Sequence, residues 1–170
     1  MLITLSQDMG FREKLLNEQQ LIEWLKNQRK TGKRIVATNG CFDILHLGHI
    51  TYLEAAKAQG DLLVVGINSD QSVRAIKGKG RPINSELDRA YVVAALESVD
   101  AVCIFYENDA LRFLSIVRPD IYVKGGDYNI DTINQPERRY VEQYGGKVMV
   151  IAGVPGKSTT TVLRQLKNGY

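Results

Sequence analysis

The sequence has only two cysteines, and it has no long apolar run. Cys41 and Cys103 lie far apart and fit no metal-ligand spacing, so neither a disulfide framework nor a cysteine-based metal site is expected. Such cysteine usage is typical of a reducing cytosol. No apolar stretch approaches the roughly 20 residues that cross a bilayer, and residues 1–14 lack the basic-then-apolar layout of a signal peptide. We therefore expect a cytoplasmic protein without a membrane partner.

Neither sign of charge is in large excess. The net charge is +3, from 22 Lys and Arg against 19 Asp and Glu, and the basic residues are scattered along the chain. A nucleic-acid-binding protein would show a basic stripe or an aromatic stacking platform, so no nucleic-acid partner is expected. A small polyanionic substrate suits this balance. We expect an N-terminal arm over residues 1–16 and one domain over residues 17–170, since no repeat or linker divides the chain.

Apolar runs of strand length alternate with helical patterns along the whole chain. The patterns predict strands over 34–38, 62–67, 101–106, 120–124 and 147–151. They predict helices over 17–30, 50–58, 71–76, 86–98, 110–118, 137–144 and 158–168. Such alternation predicts an α/β, Rossmann-like, doubly wound fold, with a mainly five-stranded parallel sheet and helices on both faces.

Both histidines of the chain lie in residues 38–49, a segment that we call the histidine turn. It joins the first predicted strand to the next helix, and side chains three apart, such as His46 and His49, share one face of a helical turn. The first amides of a helix lack intrahelical acceptors and lie at its positive end, which suits a phosphate. A capping histidine beside a packed one is the structural alternative. A zinc site is the competing functional interpretation, but no third ligand has suitable spacing.

Further glycine-rich loops are predicted beside the histidine turn. Open α/β sheets bind ligands beyond the carboxyl ends of their strands, and Lys124 to Asp127 follows one such strand. Gly156 to Thr161 opens the last helix, and Lys77 to Arg81 forms a basic loop. These features predict a polyphosphate site without an obvious nucleophile. The structural alternatives are solvated lysines, a tight turn at the glycines and a helix cap at the hydroxyls.

Two residues of the histidine turn keep alternative interpretations. Asp43 is either a structural turn carboxylate or a magnesium ligand. Cys41 is expected to be a small buried residue rather than a nucleophile. The glycine-rich start of the last helix is not a P-loop, because Ile151 occupies the position where that motif needs its first glycine.

The segment from Asn39 to His49 resembles the HxGH signature of the cytidylyltransferase-like nucleotidyltransferases. Ser158-Thr159-Thr160 resembles the second signature of that superfamily. A narrower resemblance, to the adenylyltransferases of ADP-heptose synthesis, depends on three segments and extends from about residue 21 to residue 166. These segments are Lys124-Gly125-Gly126-Asp127-Tyr128, Asn68-Ser69-Asp70 and Gly80-Arg81-Pro82-Ile83-Asn84.

The resemblance implies transfer of AMP from ATP to D-glycero-β-D-manno-heptose 1-phosphate, a sugar 1-phosphate, with release of pyrophosphate. It also implies a role in lipopolysaccharide core synthesis, a homodimer, and Mg²⁺ bridging phosphate oxygens. Many relatives carry this domain behind a sugar kinase, so we expect a stand-alone transferase that a separate heptose kinase supplies. The alternatives are cytidylyl transfer to glycerol 3-phosphate, adenylyl transfer to pantetheine phosphate, and a nucleotide-sensing module without turnover.

The resemblance also assigns roles to residues. His46 and His49 are expected to donate to the α- and β-phosphates, and Lys124 to neutralise the reacting phosphates. The nucleotide is expected to contact Asn39, Gly40, Cys41, Phe42, Gly48, Ser158, Thr159 and Thr160. Contacts to the sugar phosphate or to a closing loop are expected from Lys77, Lys79, Arg81 and Asp127.

Overall fold

A computed structural model describes residues 10–126, 129–154, 156 and 159–168. The strands of this part of the chain are β1 Ile35–Gly40, β2 Leu62–Asn68, β3 Ala101–Phe105, β4 Ile121–Gly126 and β5 Lys147–Ala152. Its helices are α1 Glu18–Lys30, α2 Leu47–Lys57, α3 Asp70–Lys77, α4 Glu86–Ala94, α5 Leu111–Val117, α6 Gln135–Gln143 and α7 Thr159–Asn168. One 3₁₀ turn, Arg12–Lys14, precedes α1. Within these residues, no helix has both the length and the apolar character that crossing a membrane requires.

The five strands form one parallel sheet in the order β3-β2-β1-β4-β5. The predicted doubly wound, five-stranded fold is therefore confirmed. The chain moves outward from β1 to β3 and then returns to β4, so the direction of winding reverses between β1 and β4. Ligands of such sheets bind at this reversal.

The ladder between β1 and β4 is short. It has two register pairs, Val36↔Ile121 and Ala37↔Tyr122, whereas β1 and β2 share six. The two central strands therefore separate toward their carboxyl ends, and we call the resulting gap the β1–β4 crevice.

Alternate strand residues pack on opposite faces of the sheet, as the two-residue period of a strand requires. Ile35 and Ala37 of β1 pack in the cluster that includes buried residues of α1, α5 and α6. Val36, between them, packs in the cluster that includes buried residues of α2 and α4. Asn39 and Lys124 follow the first pattern, so their side chains lie on the α6 side at the end of the sheet.

Helix boundaries follow local capping where it is strong. Asn17 forms a capping box with Gln20 at the start of α1, and Ser85 accepts a hydrogen bond from the backbone N–H of Asp88 at the start of α4. The predicted end of α4 at residue 98 is wrong, because the helix ends at Ala94. Val99 is buried in the core at 1% exposure, and a turn over residues 95–98 delivers it there.

Part of the predicted arm packs on the sheet. Leu15 forms a parallel bridge with Val102 of β3, and the N–H of Leu16 donates to the carbonyl of Val102 at 2.8 Å. Residues 15 and 16 thus lie along the edge strand before α1 begins.

Candidate active site

The histidine turn places its two imidazoles against each other at the start of α2. His46 is the N-cap residue, and its carbonyl accepts a hydrogen bond from the N–H of His49 at 2.9 Å. The ring centroids lie 3.9 Å apart with planes 27° from parallel, so the rings are stacked. The Phe42 ring lies 5.4 Å from that of His49. Both imidazoles therefore flank the positive end of α2 at the carboxyl end of β1.

His49 is a neutral imidazole at physiological pH. Burial, and then the neighbouring His46, lower the pKa of His49 from 6.5 to about 4. Its Nδ1 is buried and has no hydrogen-bond partner among the described residues. A buried ring nitrogen without a partner is costly unless a ligand pairs with it. The geometry therefore suits an anionic ligand that a neutral imidazole can contact.

The backbone between β1 and α2 has an unusual conformation. Phe42 has a φ of 47°, which is rare for a bulky side chain and typical of functional sites. Its ring is 6% exposed, and a Cβ on Gly40 would lie 2.9 Å from the Phe42 Cε2 atom. Glycine at position 40 thus lets the Phe42 ring fold back over the strand end. This packing fixes the path of the backbone that is predicted to contact the nucleotide.

Asp43 holds a second loop against the histidine turn. Its carboxylate accepts hydrogen bonds from the backbone N–H of Ile83 at 2.8 Å and of Asn84 at 2.9 Å. Arg81 Nε forms an ion pair with Asp43 Oδ2 at 2.7 Å. These contacts favour the structural interpretation of Asp43, which is 3% exposed. They also give the Arg81 guanidinium a protein partner, so its predicted sugar-phosphate contact stays a prediction.

The described residues do not supply a protein-held magnesium site. Among them no cluster of three His, Cys, Asp or Glu side chains has the arrangement that holds a metal ion. The Asp43 carboxylate is engaged by N–H donors, and each carboxylate oxygen has limited lone-pair capacity. The residues present therefore do not fit a magnesium ion bound by protein side chains alone.

Arg89, which sequence reasoning missed, ties the strand ends together. Its side chain is fully buried in α4 and donates to the carbonyls of Cys41 at 2.5 Å, Asn68 at 2.7 Å and Asn84 at 3.1 Å. It also forms an ion pair with Asp70 at 2.8 Å. A guanidinium offers five donors in a rigid fork, which suits this task. An arginine within a helical pattern gives no signal that separates it from a solvated one.

The cysteine of the histidine turn keeps its proton. Burial raises the pKa of Cys41, while the positive charges of Lys77, Arg89 and Arg81 oppose the rise. Cys41 is half-buried rather than buried as predicted, and its protonated thiol fits a residue that is not a nucleophile. Lys77 and Lys79 are exposed, and Lys77 lies at the end of α3. Their predicted contacts with a substrate stay predictions.

Lys124 extends from β4 to the end of β1. Its ammonium lies 3.0 Å from Asn39 Oδ1, 3.0 Å from Tyr122 Oη and 3.5 Å from Glu137 Oε2. The side chain of Lys124 is 17% exposed, so it is not a freely solvated strand-end lysine. Asn39 contributes its side chain to this cluster, and its predicted nucleotide contact stays a prediction.

Tyr52 connects the helix of the histidines to the strand of the lysine. Its hydroxyl lies 2.5 Å from Thr38 Oγ1 and donates to the carbonyl of Val123 at 2.9 Å. A Cβ on Gly125 would lie 2.4 Å from the Tyr52 ring. Gly125 and Gly126 belong to β4 rather than to a tight turn, and Gly125 makes room for the tyrosine.

The start of α7 contacts the histidine turn. Thr159 Oγ1 donates to the carbonyl of Ile44 at 3.4 Å, so the second signature lies beside the first. Thr160 is exposed on the first turn of α7. The predicted site residues Ser158 and Asp127 lie outside the described residues.

Curated relatives match most of the chain. Bifunctional protein HldE from Methylobacillus flagellatus is 49% identical over 160 residues, which are 94% of this chain and 32% of that protein. Bifunctional protein HldE from Pseudomonas paraeruginosa is 46% identical over 95% of this chain and 34% of that protein. The chain therefore spans about a third of the length of these relatives.

Two solved structures share the fold. A lipopolysaccharide core biosynthesis protein from Thermoplasma volcanium has a TM-score of 0.60 and 32% identity, covering 72% of this chain and 98% of that one. Pantoate-beta-alanine ligase from Francisella tularensis has a TM-score of 0.62 over 81% of this chain and 66% of that one, and its 16% identity indicates a common fold alone. The model of the family described as cytidylyltransferase-like matches residues 37–165. The histidine turn lies where the winding of the parallel sheet reverses. The match of the family model over most of the chain shows that the chain belongs to the cytidylyltransferase-like family.

Proposed function

We propose that this chain transfers AMP from ATP to D-glycero-β-D-manno-heptose 1-phosphate, giving ADP-heptose and pyrophosphate. The observation that carries the proposal is the pair of stacked imidazoles at the start of α2. Thr159 of α7 donates to the carbonyl of Ile44 in the same histidine turn. Two helix starts, two imidazoles and the Lys124 ammonium beside one crevice suit a triphosphate and a second phosphate.

Support for the acceptor comes from sequence. The segment beginning at Lys124 resembles the adenylyltransferases of ADP-heptose synthesis, and one solved relative at 32% identity is described as a lipopolysaccharide core biosynthesis protein. The HldE relatives are described as bifunctional, and this chain matches about a third of their length. We propose that the chain performs one of the two activities.

The proposed reaction needs no activated protein nucleophile. An oxygen of the sugar phosphate attacks the α-phosphorus of ATP, the bond from that phosphorus to the bridging oxygen of the β-phosphate breaks, and pyrophosphate leaves. The acceptor oxygen is already anionic, so alignment and charge stabilisation supply the catalysis. The protonated Cys41 thiol agrees with a mechanism that forms no intermediate on the protein.

Each proposed role rests on the resemblance and, for the described residues, is supported by their positions. The imidazoles of His46 and His49 donate to the α- and β-phosphates as negative charge grows there. Lys124 neutralises the reacting phosphates from the β4 side of the crevice. Ser158 and Thr159, with the first amides of α7, hold the β- and γ-phosphates and then the departing pyrophosphate. Backbone groups from Asn39 to Phe42 lie along the nucleotide.

Magnesium would enter with ATP and would supply positive charge beside the phosphates, since the described side chains form no cluster that holds the ion by themselves. The phosphate oxygens of ATP are hard ligands that magnesium prefers. On this proposal a heptose kinase activity supplies the acceptor, and the protein acts as a homodimer in the cytoplasm. Contacts to the sugar phosphate or to a closing loop would come from Lys77, Lys79, Arg81 and Asp127.

The decisive experiment measures pyrophosphate release with matched substrate pairs. We expect turnover with ATP and the heptose 1-phosphate, and at least tenfold lower kcat/KM with CTP and glycerol 3-phosphate or with ATP and pantetheine phosphate, as roughly expected when buried polar groups lose their substrate partners. Turnover with either other pair alone would replace the proposed acceptor. ATP binding without pyrophosphate release from any pair would indicate a nucleotide-sensing module.

A further inference from the structure

Glu137 is a buried carboxylate that the proposed reaction does not use. It lies in the first turn of α6 at 3% exposure. Its Oε1 accepts a hydrogen bond from the N–H of Ala110 at 2.9 Å, and its Oε2 lies 2.7 Å from Tyr122 Oη and 3.5 Å from Lys124 Nζ. Burial of a carboxylate is costly unless a positive charge and hydrogen bonds compensate it. A cation and two hydrogen-bond donors compensate it here.

The hydrogen-bond donors and acceptors of this cluster determine how the Lys124 ammonium is held. Tyr122 Oη lies between Asn39 Oδ1 at 2.6 Å and Glu137 Oε2 at 2.7 Å, and burial followed by the charge of Glu137 raises the pKa of Tyr122. The phenol therefore keeps its single hydrogen and can donate it to one of these two acceptors. The Lys124 ammonium donates hydrogen bonds to Asn39 Oδ1 and to Tyr122 Oη, each at 3.0 Å.

The contact with the Glu137 carboxylate is the longest of the three contacts that the Lys124 ammonium makes. Two neutral oxygens hold the nitrogen at 3.0 Å, while the negative charge lies at 3.5 Å. Three elements, β1, β4 and α6, thus fix the position of one cation at the mouth of the β1–β4 crevice.

We propose that Glu137 is a positioning residue: with Tyr122 and Asn39, it holds the Lys124 ammonium in place for a substrate phosphate. The identity of the ligand as a substrate phosphate rests on the proposed function. The coupling of Glu137 to Lys124 does not rest on the proposed function, so the coupling and the proposed function can fail separately.

The coupling is tested first by thermal unfolding of Glu137→Gln, Lys124→Met and the double variant. Glutamine keeps an oxygen for the N–H of Ala110, so the change removes the charge and spares that hydrogen bond. Each single variant leaves an uncompensated charge, whereas the double variant leaves none. We expect the double variant to lose less in Tm than the sum of the two single losses. Additive losses would overturn the proposal.

Kinetics test whether Glu137 acts through Lys124. We expect Glu137→Gln to lower kcat roughly tenfold to a hundredfold, as small misplacement of a reacting group does. In the Lys124→Met background the same change should alter kcat less than about twofold, because the group that it positions is gone. An equal loss in both backgrounds would make Glu137 merely structural and refute the proposal.

Glu142→Gln is the matched control. Glu142 lies on the same helix, is exposed, and pairs with Arg138 at 2.9 Å. It should leave kcat and Tm unchanged. If no substrate pair releases pyrophosphate, the proposed function falls, and the Tm cycle alone still supports or overturns the coupling.

Discussion

Acid should destabilise this protein through one imidazole. Burial and His46 lower the pKa of His49 from 6.5 in the unfolded chain to about 4 in the folded one. Between these values the unfolded chain binds a proton at residue 49 that the folded protein excludes. Folding stability from this group is therefore complete above pH 6.5 and falls as the pH decreases toward 4.

The size of the effect follows from the two pKa values. At pH 7.5 the group is neutral in both states and contributes almost nothing to the pH dependence. At pH 5 the unfolded chain is mostly protonated at this position while the folded protein is mostly neutral. With a discount for the partial exposure of the ring, the loss is about 1–2 kcal/mol. A loss of that size is measurable in a protein whose free energy of unfolding is of the order of 10 kcal/mol.

Urea unfolding at pH 7.5 and at pH 5.0 measures this loss in the parent protein and in His49→Asn. Other groups titrate in both proteins, so the difference between the two pH-dependent losses isolates His49. We expect the variant to lose about 1–2 kcal/mol less than the parent between the two pH values. Equal losses would show that the imidazole is not held neutral, and the electrostatics derived for the histidine turn would be wrong.

Four further changes test other parts of the site. His46→Ala should lower kcat by roughly 10²–10⁴-fold with an unchanged Tm, and a loss below threefold would remove this ring from the mechanism. Lys124→Ala should lower both kcat/KM and Tm, since it also leaves the Glu137 carboxylate unpaired, and a lower Tm with unchanged kcat/KM would make the lysine structural. Gly125→Ala should cost about 1–3 kcal/mol in urea unfolding, because its Cβ meets the Tyr52 ring, and a neutral change would refute the contact. Asp43→Ala should cost about 3 kcal/mol, because two backbone amides and a guanidinium lose their acceptor, and magnesium-dependent stability in the parent alone would instead favour metal binding.

Local chemistry made most of the fold predictable. Asn17 and Ser85 cap the helices that their spacing predicts, and the apolar runs became the five strands of one parallel sheet. The error at the end of α4 has a tertiary cause, since the burial of Val99 overrides the helical pattern of residues 95–98. Pattern alone cannot weigh a contact with residues distant in sequence.

The candidate site was predictable only in part, for the same reason. The stacking of His46 and His49 follows from a spacing of three on one helix. The partners of Lys124 do not follow from any spacing, because Asn39 precedes it by 85 residues and Glu137 belongs to the next helix. Glutamate in a first helical turn is ordinary at the level of sequence, and only the fold shows that this one is buried.

Tyr52 and His49 are separated by two residues on one rigid helix, which makes the length of that interval a structural constraint. An inserted residue between them would rotate the tyrosine by about 100° around the helix axis. Its hydroxyl would then swing away from the carbonyl of Val123, the acceptor that it now reaches at 2.9 Å. Only two register pairs join β1 to β4, so strands β4 and β5 would lose a contact with the rest of the protein beside the β1–β4 crevice. A design that lengthens α2 near its start therefore needs another side chain to replace the hydrogen bond between α2 and β4.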